Sequence, residues 1–266
     1  MRRSFLLLMI VISIICKADM TEKVRKVIAD SKPSPNAQNP VALRSVYYRR
    51  EGMRRKDSLR EDGTPSISSI ANCETGTGFL IDMSAGEYRS YEVTKFISAN
   101  QIPEYVQKHP QNVVQVESRT IETGERKTFF GHEAKHFITT IKPAGNENGG
   151  EEVTDGWYID HERPDNNCSP EFTRRDPFYV IGTMLSTYPK VAQFHHSGPL
   201  PTGLAVKVTR TIKFAGNGNS TPARTLTSEE IVEDLSDSPL SPSLFQLPSG
   251  LRENSKLLRG QPSSHD

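Results

Sequence analysis

The segment His132-Glu133-Ala134-Lys135-His136 has the H-E-x-x-H spacing that, on a helix, lets two imidazoles bind one zinc ion while the glutamate acts as general base. The spacing works only on that backbone. Residues four apart on a helix lie about one turn, roughly 6 Å, along one face, within reach of a metal that each nitrogen approaches to about 2 Å. On a strand the same step is about 13 Å, and one ion cannot be shared. The neighbouring residues argue for the strand. Phe129, Phe130 and Phe137-Ile138-Thr139-Thr140-Ile141 are aromatic or β-branched, and Gly131 suits a bulge better than a helix interior. Third-ligand candidates Glu152, Asp155, His161 and Glu162 have no helical context. The sequence therefore assigns no catalytic residue and no metal, and keeps a zinc metallohydrolase through His132 and His136 only as an alternative.

Other reactive residue types carry less. His195 and His196 are adjacent, precede Ser197-Gly198-Pro199 and read as loop residues. Asp82, Asp155 and Asp160 read as strand-end aspartates beside turns. Gly76-Thr77-Gly78 lacks the third glycine and the following helix of a phosphate loop, so the glycines read as a bend beside Cys73. Arg44, Arg49, Arg50, Arg54, Arg55, Lys56 and Arg60 make one hairpin basic, but Glu51, Asp57, Glu61 and Asp62 are interleaved. That hairpin reads as a solvated sheet face whose charges guard against edge pairing.

The elements that would position these residues are mostly strands. Leu43–Arg50 and Met53–Asp57 flank Glu51-Gly52 as a hairpin, and 76–83 and 86–92 form a second one. Residues 112–141 alternate in period two, with a turn expected at Glu122-Thr123-Gly124-Glu125 and the His132 segment on the returning strand. Asp155–Asp160, Gly203–Phe214 and Ala223–Leu235 complete the set, and Ser243–Gly250 reads as a compact apolar anchor. Helices are expected at Met20–Asp30, where Val24, Val27 and Ile28 share a face, near Pro103–Pro110, and through Tyr179–Leu185. The fold class is mainly β (α+β): an open, curved antiparallel half-barrel sheet with one or two short helices packed on it.

The remaining composition bears on compartment and partners. Lys plus Arg (33) balances Asp plus Glu (32) across 266 residues, so no net field draws nucleic acid. Arg2 and Arg3 precede the apolar run Phe5–Cys16, which is too short to span a bilayer, and Cys16 and Ala18 are small residues before a cleavage point. Residues 1–18 therefore read as a secretory signal, with lipidation of Cys16 an alternative. Residues 19–40 read as a helix and Pro-rich linker, 41–251 as one sheet domain, and 252–266 as a disordered tail. Cleavage would leave Cys73 and Cys168, an even count in an oxidising compartment that reads as one disulfide, with two unpaired thiols the alternative. A disulfide between them closes a loop of close to 100 residues, for which the loop-entropy argument gives about 4.7 kcal/mol.

The order of the pieces YYRREGMRRKD, TGFLIDMSAGEYRSYEV, TGERKTFFGHEAKHFITTI, DGWYID and SLFQLPSGL resembles the lipoprotein-carrier superfamily, the LolA/LolB-like half-barrels, and their exported relatives of unknown function. The resemblance covers about Leu43 to Leu251. It implies a curved sheet around an apolar concavity, which in the carriers holds acyl chains. The expectation is a non-catalytic exported protein, periplasmic or envelope-associated, without a cofactor, that binds a lipid, a lipoprotein acyl chain or another apolar ligand. Tyr48, Phe79, Tyr88, Phe137 and Trp157 would line the cleft. The alternative is a structural or interaction module of the envelope with a packed interior.

Overall fold

The computed structural model describes residues 19–32, 40–92, 107–108, 110, 113–144, 150–161, 178–181, 190–214 and 223–255. They build one mainly antiparallel sheet. Its strands are β1 (Met20–Asp30), β2 (Val41–Arg50), β3 (Met53–Leu59), β4 (Pro65–Asn72), β5 (Thr77–Asp82), β6 (Glu87–Glu92) and β7 (Val113–Phe129). They continue with β8 (His132–Pro143), β9 (Glu151–Ile159), β10 (Phe178–Ile181), β11 (Lys190–Ser197), β12 (Leu204–Phe214), β13 (Arg224–Ser236) and β14 (Arg252–Glu253). The spatial order is β10-β11-β7-β8-β9-β12-β13-β1-β2-β3-β4-β5-β6-β14, and the sheet is open. Two pairs, β11 with β7 and β14 with β6, are parallel. The mainly β fold class and the hairpins β2–β3, β5–β6 and β12–β13 are as the sequence predicts.

Four expectations are corrected. Met20–Asp30 is a strand, not a helix: alternate residues Met20, Glu22 and Val24 are buried, and it pairs with both β13 and β2. It belongs to the same sheet as residues 41–251, because a Val-rich segment gains more from two ladders than from one helical stripe. Phe178–Ile181 is also strand, and the rest of that expected helix lies outside the described residues; of the one expected near Pro103–Pro110 only residues 107–108, which are helical, and 110 are described. His195 and His196 lie on β11, not in a loop. Arg252 and Glu253, expected in a disordered tail, pair with Glu87 and Tyr88 on β6.

The β7–β8 hairpin exchanges its expected turn and bulge. The chain reverses at Phe130-Gly131, whose φ values of 50° and 80° are the doubly positive pattern of a two-residue I′ turn. Residues 123–125 remain on β7, and the register jumps from Glu122↔Phe137 to Arg126↔Lys135, so three residues face His136 alone. Gly131 is thus the second turn residue, and the bulge is carried by Gly124 at φ 82°. Phe130 carries a left-handed backbone that costs a residue with Cβ about 1–2 kcal/mol, and its side chain is exposed. Phe130→Asn creates the preferred Asn-Gly turn and is expected to stabilise by about 1 kcal/mol, read as a higher midpoint in thermal melting.

Two apolar clusters lie on opposite faces of the sheet. Met20, Ala134, Trp157, Ile159, Leu204 and Val206 form the first, with Phe129 and Leu235 packed against it. Ile70, Ile81 and Phe245 form the second, with Tyr48, Met53, Phe79, Tyr88, Leu240, Leu244, Leu247 and Leu251 around them. Tyr48 is the cross-strand partner of Thr21, the residue after Met20. Successive strand residues point to opposite faces, so β1 separates the clusters.

The cover of the second cluster is the C-terminal segment. Ser241 caps a short 3-10 turn, Pro242–Phe245, through its side chain and the Ser243 amide, and Phe245 is buried. The expected apolar anchor at Ser243–Gly250 is therefore present. Beyond it β14 adds to the β6 edge, with Arg252 N donating to Gly86 O at 2.9 Å and Asn254 N to Tyr88 O at 2.7 Å. Glu87 accepts hydrogen bonds from Asn254 and Arg252, which hold its carboxyl below the ordinary carboxylate range. A depressed folded-state value means the ionised form favours folding. The contribution is complete above the range where unfolded glutamates titrate and is lost as pH falls through the lowered value. Amide exchange at Arg252 and Asn254, corrected for its intrinsic pH dependence, is expected to stay constant from about pH 8 to 6 and to rise towards about pH 3.

Candidate functional site

The bulge on β7 places Thr123 and Glu125 against the ring of His136. His136 Nδ1 is 3.0 Å from Thr123 Oγ1, and Nε2 is 2.8 Å from Asp155 Oδ1 on β9. The ring lies flat on Trp157, its cross-strand partner, with centroids 4.5 Å apart and planes 19° apart. Lys127 Nζ stands 4.3 Å from the centre of the same indole. An ionised Asp155 can only accept, so Nε2 carries the ring proton in neutral His136 and Nδ1 accepts the Thr123 hydroxyl.

A hydroxyl, an imidazole and a carboxylate in this order are the parts of a nucleophile with its base and orienting group. The surroundings oppose that chemistry. Glu125 Oε1 sits 4.0 Å from the same Nδ1, so a second acceptor crowds the nitrogen that would take the hydroxyl proton. The Glu125 amide donates to Thr123 Oγ1 at 3.2 Å, and this closes the bulge on itself. The cluster acts as a polar latch that fixes the bulge above the Trp157 ring.

The zinc candidates separate into two pairs along β8. His132 faces His161, with ring centroids 5.5 Å apart, whereas His136 engages Asp155. His161 Nε2 lies 3.1 Å from Asp237 Oδ1, an ion-pair distance without hydrogen-bond geometry. Glu152 pairs with Arg210 at 3.1 Å, and Glu162 lies outside the described residues. Among the described residues no group of three or more His, Cys, Asp or Glu side chains could hold a metal ion. His195 bonds Gln115 and His196 bonds Ser118, both on β7, so these rings tie β11 to its neighbour.

No family model matches this chain. No curated protein matches it either. Among solved structures it is similar to an uncharacterised conserved protein from Thermus thermophilus, at 5% identity and a TM-score of 0.38, over 89% of this chain and 90% of that one. A likeness at that level carries no argument about function.

The five aromatic residues expected to line one cleft are divided between the faces, Phe137 and Trp157 buried and Tyr48, Phe79 and Tyr88 partly buried. Tyr48, Phe79 and Tyr88 pack beneath the C-terminal segment, Phe79 edge-on to Tyr88 at 6.0 Å. Burial pushes the Tyr48 hydroxyl above its ordinary value. Trp157 is 6% exposed in the other cluster, and Phe137, 5% exposed, packs edge-on to Tyr158. Trp157 pairs with His136 and Phe137 with Gly156, so the adjacent residues His136 and Phe137 point to opposite faces. The structure therefore does not bring the five residues together.

The basic hairpin is reassigned in part. Arg49 Nε donates to Glu22 Oε1 at 2.9 Å with both side chains buried. Arg55 bonds the buried Asp57 at 2.8 Å and, through Nη1, the carbonyl of Leu244 at 3.0 Å. Arg50 Nη1 donates to Leu240 O at 3.0 Å, and the Leu240 amide donates to Asp19 Oδ2 at 2.7 Å. Arg49 and Arg55 bind inside the fold and Arg50 reaches across to the C-terminal segment, because each meets a carboxylate or a carbonyl, whereas Arg44, Lys56 and Arg60 are exposed as the solvated-face reading expects. Sequence reading missed this clamp because its acceptors lie up to 221 positions away.

The smaller expectations resolve locally. Asp82 accepts from the hydroxyl and amide of Ser84 and the amide of Ala85, and these bonds, led by the Ser84 hydroxyl, hold its carboxyl below the ordinary range. It is a turn aspartate. Gly78 lies under the Tyr91 ring, where a Cβ would come within 2.3 Å of Tyr91 Cζ, so the glycine makes room for an aromatic ring, not a phosphate. Cys73 sits in the β4–β5 turn, its amide bonded to Gly52 O at 2.8 Å, and is engaged in the fold. Cys168 lies outside the described residues.

Proposed function

We propose that this chain is a non-catalytic exported protein of the cell envelope that works as an interaction module with a packed interior. The carrying observation is that Tyr48, Phe79 and Tyr88 are partly buried in one cluster with leucine and phenylalanine side chains of the chain's own segment Leu240–Leu251. An acyl chain binding this apolar face would have to displace the five leucine and phenylalanine side chains that already pack on it. Export, and a Cys73–Cys168 cross-link, belong to the same reading and rest on the Arg2–Ala18 leader pattern and the cysteine count.

The lipid-carrier reading stands second. What favours it is that the cover is a terminal segment, not a second sheet, so the face could be opened. Native mass spectrometry of the gently purified full chain decides between them. The packed-interior reading expects the bare mass, lighter than the reduced chain by the two hydrogens that one disulfide removes, and no saturable binding of a fluorescent acyl probe. Stoichiometric co-purified lipid would overturn it, and two titratable thiols in the unreduced, denatured protein would remove the cross-link.

A further inference from the structure

The bonds that hold the C-terminal segment are of an uncommon kind for a core element. Three side chains of the sheet and its leading residue bind the segment's main chain: Arg50 the Leu240 carbonyl, Asp19 the Leu240 amide, and Arg55 the Leu244 carbonyl. Further on, the segment bonds the β6 edge backbone in register. Its apolar side chains Leu240, Leu244, Phe245, Leu247 and Leu251 enter the surface of β2–β6. Main-chain capture, strand addition at an edge and apolar sockets together are how a groove recognises an extended peptide. The stretch 237–239 that joins the segment to β13 is exposed and has no regular structure, so the segment's position is not imposed by the strand before it.

We infer that the β2–β6 face is a recognition groove for an extended leucine-rich peptide, and that residues 240–254 occupy it as a built-in ligand. The partner is defined by chemistry: an extended segment with free main-chain groups at the two arginine contacts and apolar side chains at the spacing of Leu240, Leu244, Leu247 and Leu251. Its terminal residues lie parallel to β6, where Glu87 takes a basic side chain and Ser90 an acidic one, as Arg252 and Glu253 now supply. Tethering gives the built-in ligand an effective concentration of about millimolar, so a free partner enters only when that segment is loosened. This inference rests on the interaction-module reading and supplies its ligand class.

The experiment uses the full chain with a protease recognition sequence inserted after Ser238, and a fluorescein-labelled peptide spanning Pro239 to Ser255. After cleavage the labelled peptide is expected to exchange into the groove, with saturable polarisation, while a scrambled peptide does not. Arg55→Ala in the same cleaved chain is expected to weaken binding about tenfold. An uncleaved chain carrying Leu244→Ala and Leu247→Ala, which loosen the built-in segment without touching the groove, is expected to bind at least about tenfold tighter than the unaltered chain. If the cleaved chain unfolds, seen as a red shift of Trp157 emission, this second variant decides. Folded protein that takes up no labelled peptide, or takes up the scrambled peptide equally well, overturns the inference. A co-purified lipid would overturn the packed-interior reading instead, and is read from a separate measurement.

Discussion

Glu22→Ala is expected to cost about 3–5 kcal/mol of folding stability, because it leaves the Arg49 guanidinium inside the fold without its counter-charge. The pair is 2.9 Å apart, with 10% and 4% of the two side chains exposed. Urea denaturation followed by Trp157 emission measures the loss as a lower midpoint with an unchanged slope. Arg25–Glu233, at the same 2.9 Å but with 34% and 41% exposed, provides the contrast. Water screens it, and Glu233→Ala is expected to change stability by about 1 kcal/mol or less. Replacing both buried partners, Glu22→Leu with Arg49→Met, is expected to restore most of the loss, since neither then needs solvation. A double variant as unstable as Glu22→Ala would show that packing around the pair, not charge burial, dominates.

Phe245→Ala is expected to be the second large loss, about 3–5 kcal/mol, as removal of a buried aromatic side chain leaves a cavity over Ile70 and Ile81. Its distribution should differ from that of Glu22→Ala. The Glu22 change weakens the strand at the centre of the sheet, where opening is global. The Phe245 change weakens a terminal cover, so hydrogen exchange is expected to accelerate first in residues 240–254 and along β6, and least at β8 and β9. Uniform acceleration throughout would mean that the segment and the sheet unfold as one unit.

Period-two stretches bounded by turn residues were legible in the sequence. Glu51-Gly52, the Asp82–Gly86 turn and the alternating Gly203–Phe214 gave their hairpins, because local turn chemistry and alternation decide such elements without help from distant residues. Met20–Asp30 was misread since Val24, Val27 and Ile28 satisfy a helical stripe as well as a strand, and only its partner strands decide. Thr123-Gly124 and Phe130-Gly131 are both residue–glycine pairs inside a β pattern; the chain turns at the second although Phe there is locally unfavourable. Tertiary pairing of Glu122 with Phe137 and Arg126 with Lys135 overrides the local preference. The His136 cluster required cross-strand register, which placed Asp155 and Thr123 beside it; a Thr-Gly pair interrupting strict alternation was the one sequence sign of the bulge.

The seam strand β1 has a further consequence for the order in which the chain assembles. Strands β2 to β6 pair with successive neighbours and can form as each hairpin leaves the ribosome. Strand β1, which precedes the other described strands, pairs with β13 through contacts such as Lys23↔Asp234, which form only once the long stretch between these two residues has been made. Pairing over that separation is slow because the entropy of closing the intervening loop is lost before any contact compensates. Strand β1 therefore gains its β13 neighbour late in folding, and until then Met20 and Glu22 lack the β13 side of their surroundings. A molecule halted before β13 is complete would expose one edge of β1 as an unpaired template for another chain.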